Sequence, residues 1–364
     1  MTAEQLISFA RGAPSLDIVD VEGLKAAAVR AFDADPAGVT AYGTSVGYGP
    51  LRKWIADKHG VAVDQVLLTN GSLQADAFLF NHLVSAGDAV VVEKPTYDRT
   101  LLNLQNLGGK VHQVTIAPDG IDTDELRGLL EAGLRPKLAH IIPNYQNPAG
   151  VTLSLEKRRA LLELAAEYGF TIFEDDPYVD IRFRGEPLPS MLSMDTNGVV
   201  VHASSFTKTV CPGVRVGYLV GPAGLIADIA KKATNLYISP GMVAQAIVHQ
   251  FCVSGDIDRS VQTVSAALAE RATVLAAALR EHIPGATFTE PDGGYFLWVE
   301  LPDDIDVDEL FPVATAKGVA VVKGSDFLLD GGEHALRLAY SAVTVAQIDE
   351  GVRRLAAAIA EVRG

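Results

Sequence analysis

The sequence predicts an α/β fold: a large domain with a mostly parallel sheet between helices, followed by a smaller α+β C-terminal domain. Three observations predict it. From about residue 60, short β-branched runs alternate with longer amphipathic stretches, the pattern of strands joined by crossover helices. After about residue 240 the texture changes to a long Ala/Leu/Val-rich stretch with isolated strand-like runs. The chain has 364 residues, which is more than one ordinary core accommodates.

Residues 66–69, 89–92, 138–142, 170–173 and 199–203 are short and β-branched and read as strands. Residues 72–84 and 155–168 carry apolar residues at helical spacing and read as helices. In the second part, residues 264–279 read as a helix and 294–299 and 336–340 as strands. The last helix is announced by Thr344 and Gln347, a capping-box pair, and carried by Ile348, Val352, Leu355 and Ile359. There are no repeats and no Ser/Gly linkers, so the two parts are expected to share a rigid interface. The expected division is an N-terminal arm packing on the small domain (1–40), a large domain (41–250) and a small one (251–364).

About half of the residues, 48%, are apolar, which excludes a disordered chain. The formal net charge of -15 gives a field that repels phosphate backbones and anionic lipid, so neither nucleic acid nor membrane is an expected partner. No apolar run approaches the roughly 18 residues of a membrane span, and the start, MTAEQLISFARG, has no secretory pattern. Cys211 and Cys252 match no metal or redox spacing, and the eight histidines form no zinc motif. No metal is expected, and the compartment expected is the cytoplasm.

In open α/β sheets ligands bind beyond the carboxyl ends of the strands. Five polar segments follow the strands here: Thr69 to Gln74, Lys94 to Tyr97, Pro143 to Gly150, Glu174 to Tyr178 and Ser204 to Lys208. In the first, Gly71 and Ser72 open a helix, where backbone N–H groups and a hydroxyl can hold an anion; the plainer reading of Ser72 is an N-cap. The last supplies an amine, Lys208, in the segment SSFTKTVCPGVRVGY, with no acidic neighbour in sequence and a cation at Arg215. Desolvation and a nearby cation both lower a lysine pKa toward the range where a free amine attacks carbonyls. Glu174-Asp175-Asp176-Pro177-Tyr178 offers carboxylates at a strand end; alone, the solvated turn is the favoured reading. With a pyridine cofactor on the sheet, one of them could hold the ring nitrogen protonated, and Asp175 and Tyr178, three apart, could reach the ring nitrogen and the ring hydroxyl.

The succession GSLQ, PTY, QNPAG, EDDPY, SSFTK and GVRVGY resembles the fold-type I, pyridoxal-phosphate-dependent class I/II aminotransferases, particularly the 2-aminoadipate/kynurenine branch and the catalytic domain of the MocR regulators. The resemblance covers the chain from ISFARGAP to LRLAYS. It implies that Lys208 carries the cofactor as a Schiff base and moves a proton, that Asp175 pairs with the pyridinium nitrogen, that Asn147 and Tyr178 bond the ring hydroxyl, and that Tyr97 stacks on the ring. It implies a phosphate cup of Ser72, Leu73, Ser205 and Arg215, a substrate carboxylate on Arg337, and a homodimer in which Tyr42 reaches the neighbouring subunit's phosphate. The expected substrates are an α-amino acid and a 2-oxo acid, for which the family suggests 2-oxoglutarate.

The chain departs from the family pattern at Leu73, at Lys323-Gly324, at Tyr295 in Gly293-Gly294-Tyr295-Phe296, and at Arg11. Arg11 and Tyr295 are candidates to face the substrate. Transamination is the leading expectation. A pyridoxal-phosphate lyase, decarboxylase or oxidase uses the same electron sink. A sensor domain is disfavoured because the chain begins almost directly at the aminotransferase-like segment, without a DNA-binding helix-turn-helix.

Overall fold

The computed structural model describes residues 6–364. The chain enters through a short strand, β1 (Ile7–Ser8), and three helices, α1 (Val21–Ala34), α2 (Pro36–Thr40) and α3 (Gly49–His59). The alternating region then runs β2 (Val66–Thr69), α4 (Ser72–Leu83), β3 (Ala89–Lys94), α5 (Asp98–Asn106), β4 (Lys110–Ala117), β5 (Gly120–Ile121), α6 (Thr123–Glu131) and β6 (Pro136–Ile141). It continues with α7 (Leu155–Tyr168), β7 (Thr171–Asp175), α8 (Met191–Met194), β8 (Val200–Ser205), β9 (Gly217–Val220), α9 (Ala223–Tyr237) and α10 (Met242–Val253). The last part holds α11 (Asp256–His282), β10 (Phe296–Glu300), α12 (Val307–Ala316), β11 (Val319–Ala320), β12 (Val322–Lys323), β13 (Ala335–Ala339) and α13 (Val345–Arg363).

Strands β2 to β9 form one sheet in the order β2-β9-β8-β7-β6-β3-β4-β5. Its centre, β8, β7, β6, β3 and β4, is parallel throughout, while β9 runs against both of its neighbours and β5 against β4. This is the mostly parallel sheet expected. Covered on both faces, β2, β7 and β8 are mostly apolar, Thr171 and His202 apart, and end in polar residues, Thr69, Glu174-Asp175 and Ser204-Ser205. The polar groups therefore collect along one edge of the sheet.

The second part is a three-stranded antiparallel sheet, β10-β13-β12, whose Leu297, Val299, Leu336 and Leu338 share one core with Leu268 and Leu275 of α11 and Ile348 and Val352 of α13. Helix α13 opens on the expected capping box, with Thr344 N–H donating to Gln347 Oε1 at 2.9 Å. Helix α11 starts eight residues before the stretch read from sequence. Its first turns, Asp256-Ile257-Asp258-Arg259-Ser260-Val261, are largely polar, and the apolar stripe is carried there only by Ile257 and Val261.

Of the arm expected at 1–40, residues 1–5 lie outside the described residues. Strand β1 pairs in parallel with β11, and Ile7, Phe9 and Ile18 enter the core shared by α11, α13 and β13. Helix α1 instead lies on α10, burying Ala27 and Ala31 in the cluster of Tyr48, Leu51 and Phe251. The chain thus bridges both cores before the large sheet begins. Among the described residues no helix is long and apolar enough to cross a membrane.

Candidate active site

Strands β2, β7 and β8, with the loops after β3, β6 and β8, open onto one cavity of about 170 Å³. Nine residues singled out in the sequence line it: Ser72, Leu73, Tyr97, Asn147, Asp175, Tyr178, Ser205, Lys208 and Arg215. Each comes from the carboxyl-terminal side of a strand, so the sheet's register brings segments 140 residues apart to one rim.

One end is an anion cradle. Gly71 precedes α4 with φ of +86°, and Ser72 is the helix's first residue, not its N-cap. The backbone N–H groups of the first turn point toward the cavity end of the helix, where the helix field is positive. Arg215 sits beneath this turn, its Nη2 donating to the Asn70 carbonyl at 3.4 Å. A Cβ on Gly71 would lie 2.2 Å from that Nη2 and push the guanidinium aside, and the left-handed φ itself favours glycine. Ser205 donates to Thr207 Oγ1 at 2.8 Å, and Arg215 Nη1 reaches the same oxygen at 3.4 Å.

The opposite wall is carboxylate and phenol. Glu174, Asp175 and Asp176 are all buried, which removes the solvated-turn reading. Glu174 pairs with His202 Nδ1 at 2.9 Å and accepts the Met191 and Leu192 N–H groups; Asp176 accepts from Asn144 Nδ2 at 2.8 Å. Asp175 alone of the three lines the cavity. Its Oδ2 lies 3.5 Å from His140 Nε2, and its buried Oδ1, like that of Asp176, has no partner. Burial holds the Tyr178 phenol well above its usual range, with Tyr97 and Asp175 adding to it, so Tyr178 stays a donor. Tyr97 is likewise pushed up to about 12, by burial first and then by Asp98, Asp76 and Asp175.

Between the two ends stands Lys208. Its pKa is lowered to about 8, by burial first and then by Arg337 and Arg215, against the pull of Asp175. Its Nζ lies 5.4 Å from the Tyr178 ring centre and 5.0 Å from that of Tyr295, and it donates to the carbonyl of Gly12. Arg337, on β13, is held between the rings of Phe296 and Phe327, 4.5 Å and 4.9 Å from their centres. It donates to Asn147 Oδ1 at 3.2 Å and to the Ala10 carbonyl at 2.7 Å. Ser341 Oγ donates to the Arg11 carbonyl at 3.3 Å, so three successive carbonyls are tied to the site and its surroundings.

Tyr295 is fully buried behind the cavity, and its hydroxyl donates to the Lys208 carbonyl at 2.8 Å. The Arg11 side chain is exposed. Tyr42 is 87% exposed and is not among the residues lining the cavity. Sequence reasoning missed Ile142, Pro177 and Thr207 in the lining, and His140 behind Asp175. A histidine among the buried apolar residues of Leu138 to Ile141 is the available signal for the last. No group of His, Cys, Asp or Glu among the described residues is arranged to hold a metal ion.

Residues 4–355 match the family model for aminotransferase class I and II. The chain is 32% identical to aromatic-amino-acid aminotransferase 1 of Thermococcus litoralis, over 98% of this chain and 88% of that protein. It superposes with a TM-score of 0.93 on an α-aminoadipate aminotransferase from Thermus thermophilus complexed with N-(5'-phosphopyridoxyl)-L-leucine, at 30% identity, covering 98% of this chain and 92% of that one. A kynurenine aminotransferase of Pyrococcus horikoshii in complex with PMP gives a TM-score of 0.93 at 32% identity, covering 99% of this chain and 92% of that one.

Proposed function

The chain belongs to the aminotransferase class I and II family, and from that premise we propose that it is a pyridoxal-phosphate-dependent transaminase. It moves the amino group of an L-α-amino acid to a 2-oxo acid, with the cofactor carried as a Schiff base on Lys208. One observation carries the assignment of roles: an amine with a lowered pKa and a buried carboxylate oxygen without a partner share a cavity with a helix N-terminus and an arginine.

The residues fit the cofactor. The unpartnered Asp175 Oδ1 supports a role opposite a protonated ring nitrogen. Asn147 and the protonated Tyr178 supply polar groups for the ring hydroxyl, and Tyr97 supplies an aromatic face. The N–H groups of Ser72 and Leu73, the hydroxyls of Ser205 and Thr207, and Arg215 suit a phosphate. When bound, the cofactor supplies an electron sink for the carbanion formed at the substrate Cα. Lys208 would be the amine placed to take the substrate Cα proton and return it two atoms along, on the carbon beyond the amino nitrogen. The stacked Arg337 suits the substrate α-carboxylate, fixing the orientation of the Cα–H bond.

A homodimer is part of the same reading. Tyr42, Leu236, Ile238 and Val243 are exposed apolar residues. They lie on segments joined near the cavity by the Gly241 N–H to Asn70 Oδ1 and the Tyr237 hydroxyl to the Ser45 carbonyl. A second copy would cover them and bring its Tyr42 to the cradle. The free thiols Cys211 and Cys252 accord with a reducing compartment, the cytoplasm. 2-Oxoglutarate is the proposed acceptor.

The experiment is an absorbance spectrum of the pyridoxal-phosphate-reconstituted protein and of Lys208→Ala, before and after a panel of amino acids. The expected result is a Schiff-base band that requires Lys208 and that a subset of donors bleaches stoichiometrically. A band that survives loss of Lys208 removes the assignment. Catalytic ammonia or carbon dioxide release would replace transamination with elimination or decarboxylation.

A further inference from the structure

Helix α4 carries an aspartate that the site described above does not use. Asp76 is 2% exposed, and its Oδ1 is buried without a hydrogen-bond partner. It lies three and four residues after Leu73 and Ser72, on the helix face that lines the cavity. One turn further along the same stripe, Phe80 packs on Phe173 and His140, with ring centres 5.7 Å and 6.0 Å apart.

That contact fixes what Asp76 faces. From Phe80 back to Asp76 the helix advances about 6 Å toward the cavity, at 1.5 Å per residue. From Phe173 forward to Asp175 strand β7 advances about 6.6 Å in the same direction, at 3.3 Å per residue. The two steps match, so Asp76 stands opposite Asp175 as Phe80 stands opposite Phe173. Both carboxyl groups have an unpartnered, buried Oδ1.

We propose that Asp76 is a positioning residue for the cofactor site, a protonated carboxyl that donates to the Asp175 carboxylate and keeps that carboxylate both charged and correctly aimed. The pair holds one proton between two carboxyl groups, because two bare anions in an apolar site repel strongly. Burial first, and then the Asp175 charge, push Asp76 well above the usual carboxylate range, in accord with this state. The other titratable groups around the pair are His140 on β6, 3.5 Å from Asp175 Oδ2, Tyr97 before α5, and Glu93 on β3, whose own pKa feels Asp175. The charges of α9, Asp228 and Lys232, act on His82 two turns further down α4.

The inference rests on the reading of Asp175 as the ring-nitrogen partner, and the test separates the two. In the cofactor-free protein, infrared spectra of wild type, Asp76→Asn and Asp175→Asn report the proton directly. The buried Glu93 contributes a protonated-carboxyl band to every variant, so the difference between wild type and Asp76→Asn is read. A protonated-carboxyl component lost in Asp76→Asn supports the pair whatever the cofactor does, and a difference spectrum without one overturns it. In the loaded protein, pyridoxal phosphate affinity and the pH profile of its absorbance are read for wild type, Asp76→Asn and Asp76→Leu.

Asp76→Asn, which keeps a donor of the same shape, is expected to bind within about three-fold of wild type. It should lack the alkaline step that ionisation of Asp76 adds to the wild-type profile. Asp76→Leu, which removes the donor, is expected to weaken binding roughly ten-fold or more. Identical pH profiles in wild type and Asp76→Asn overturn the proposal. If Asp76→Leu does not fold, the infrared band and the Asp76→Asn profile still decide. If no Schiff-base band forms in any variant, the cofactor reading fails and the infrared result stands on its own.

Discussion

The Arg337 guanidinium, stacked between Phe296 and Phe327, donates through Nη1 to Asn147 Oδ1 at 3.2 Å, tying the three-stranded C-terminal sheet to the loop after β6. A residue proposed for the substrate and one proposed for the cofactor thus hold each other in place. Lysine at 337 keeps a charge but loses the planar fork and the stacking. Arg337→Lys is expected to lower kcat/KM about 100-fold, mostly through KM, with the Schiff-base spectrum unchanged. Steady-state kinetics with a donor amino acid, alongside the spectrum, checks both halves; an altered spectrum with unaltered KM would place Arg337 on the cofactor.

Lys208 titrates at about 8, so the neutral amine grows as pH rises through that value. The rate at which the cofactor-free protein reacts with pyridoxal phosphate should rise with pH and level off above about 8. Arg337→Gln removes a cation that favours the neutral amine, so its profile should move to higher pH. Stopped-flow absorbance gives both curves. A wild-type midpoint near the ~10.4 of a free lysine contradicts this account.

Gly217 on β9 lies directly under the cradle. A Cβ there would sit 2.6 Å from the Gly71 carbonyl carbon and the Ser72 nitrogen, both backbone atoms that must move to admit it. Gly217→Ala should displace the N–H groups proposed for the phosphate and weaken pyridoxal phosphate roughly ten-fold or more, while the far-UV circular dichroism stays native. Titration of the cofactor-free variant measures the loss, and unchanged affinity would remove the first turn of α4 from the phosphate site.

Glu93 is buried on β3, accepting from the Ile142 N–H and Gln146 Nε2, and burial raises its pKa to about 8 from 4.5. The folded protein therefore keeps a proton that the unfolded chain releases at lower pH. Its contribution is full below the unfolded value and drains away as pH rises toward about 8, by an order of a few kcal/mol. Glu93→Gln can accept the same two bonds without that loss. Thermal melts should show the variant level with wild type near about pH 5 and more stable at pH 8; parallel melting curves would mean that Glu93 is ionised in the fold.

The strands and most of the cavity were legible because each lining residue follows an apolar run, and a polar residue there has few structural uses. Residues 155–168 were read as a helix with the observed bounds, since Ser154 caps it and Gly169 ends it in the left-handed region. His140 and Asp76 were not legible. Their meaning depends on which strand neighbours which, His140 beside Phe173 and Asp76 across from Asp175, and single-chain periodicity carries no strand order. Thr207 is one of several hydroxyls in SSFTK, and only the folded loop turns it toward Arg215. For Tyr42 the single chain shows an exposed ring and nothing more, because a role across a subunit boundary has no signature within one protomer.

The carbonyls of Ala10, Arg11 and Gly12 are held by Arg337, Ser341 and Lys208. The free protein thus carries a built-in competitor: its own backbone occupies donors that a substrate carboxylate and a cofactor aldehyde must claim. Binding is then an exchange of partners, and the measured dissociation constant is the intrinsic one divided by the fraction of molecules in which the donors are free. Ligands that engage Arg337 and Lys208 together displace both end carbonyls at once, so the segment between them favours bidentate ligands over those that reach only one.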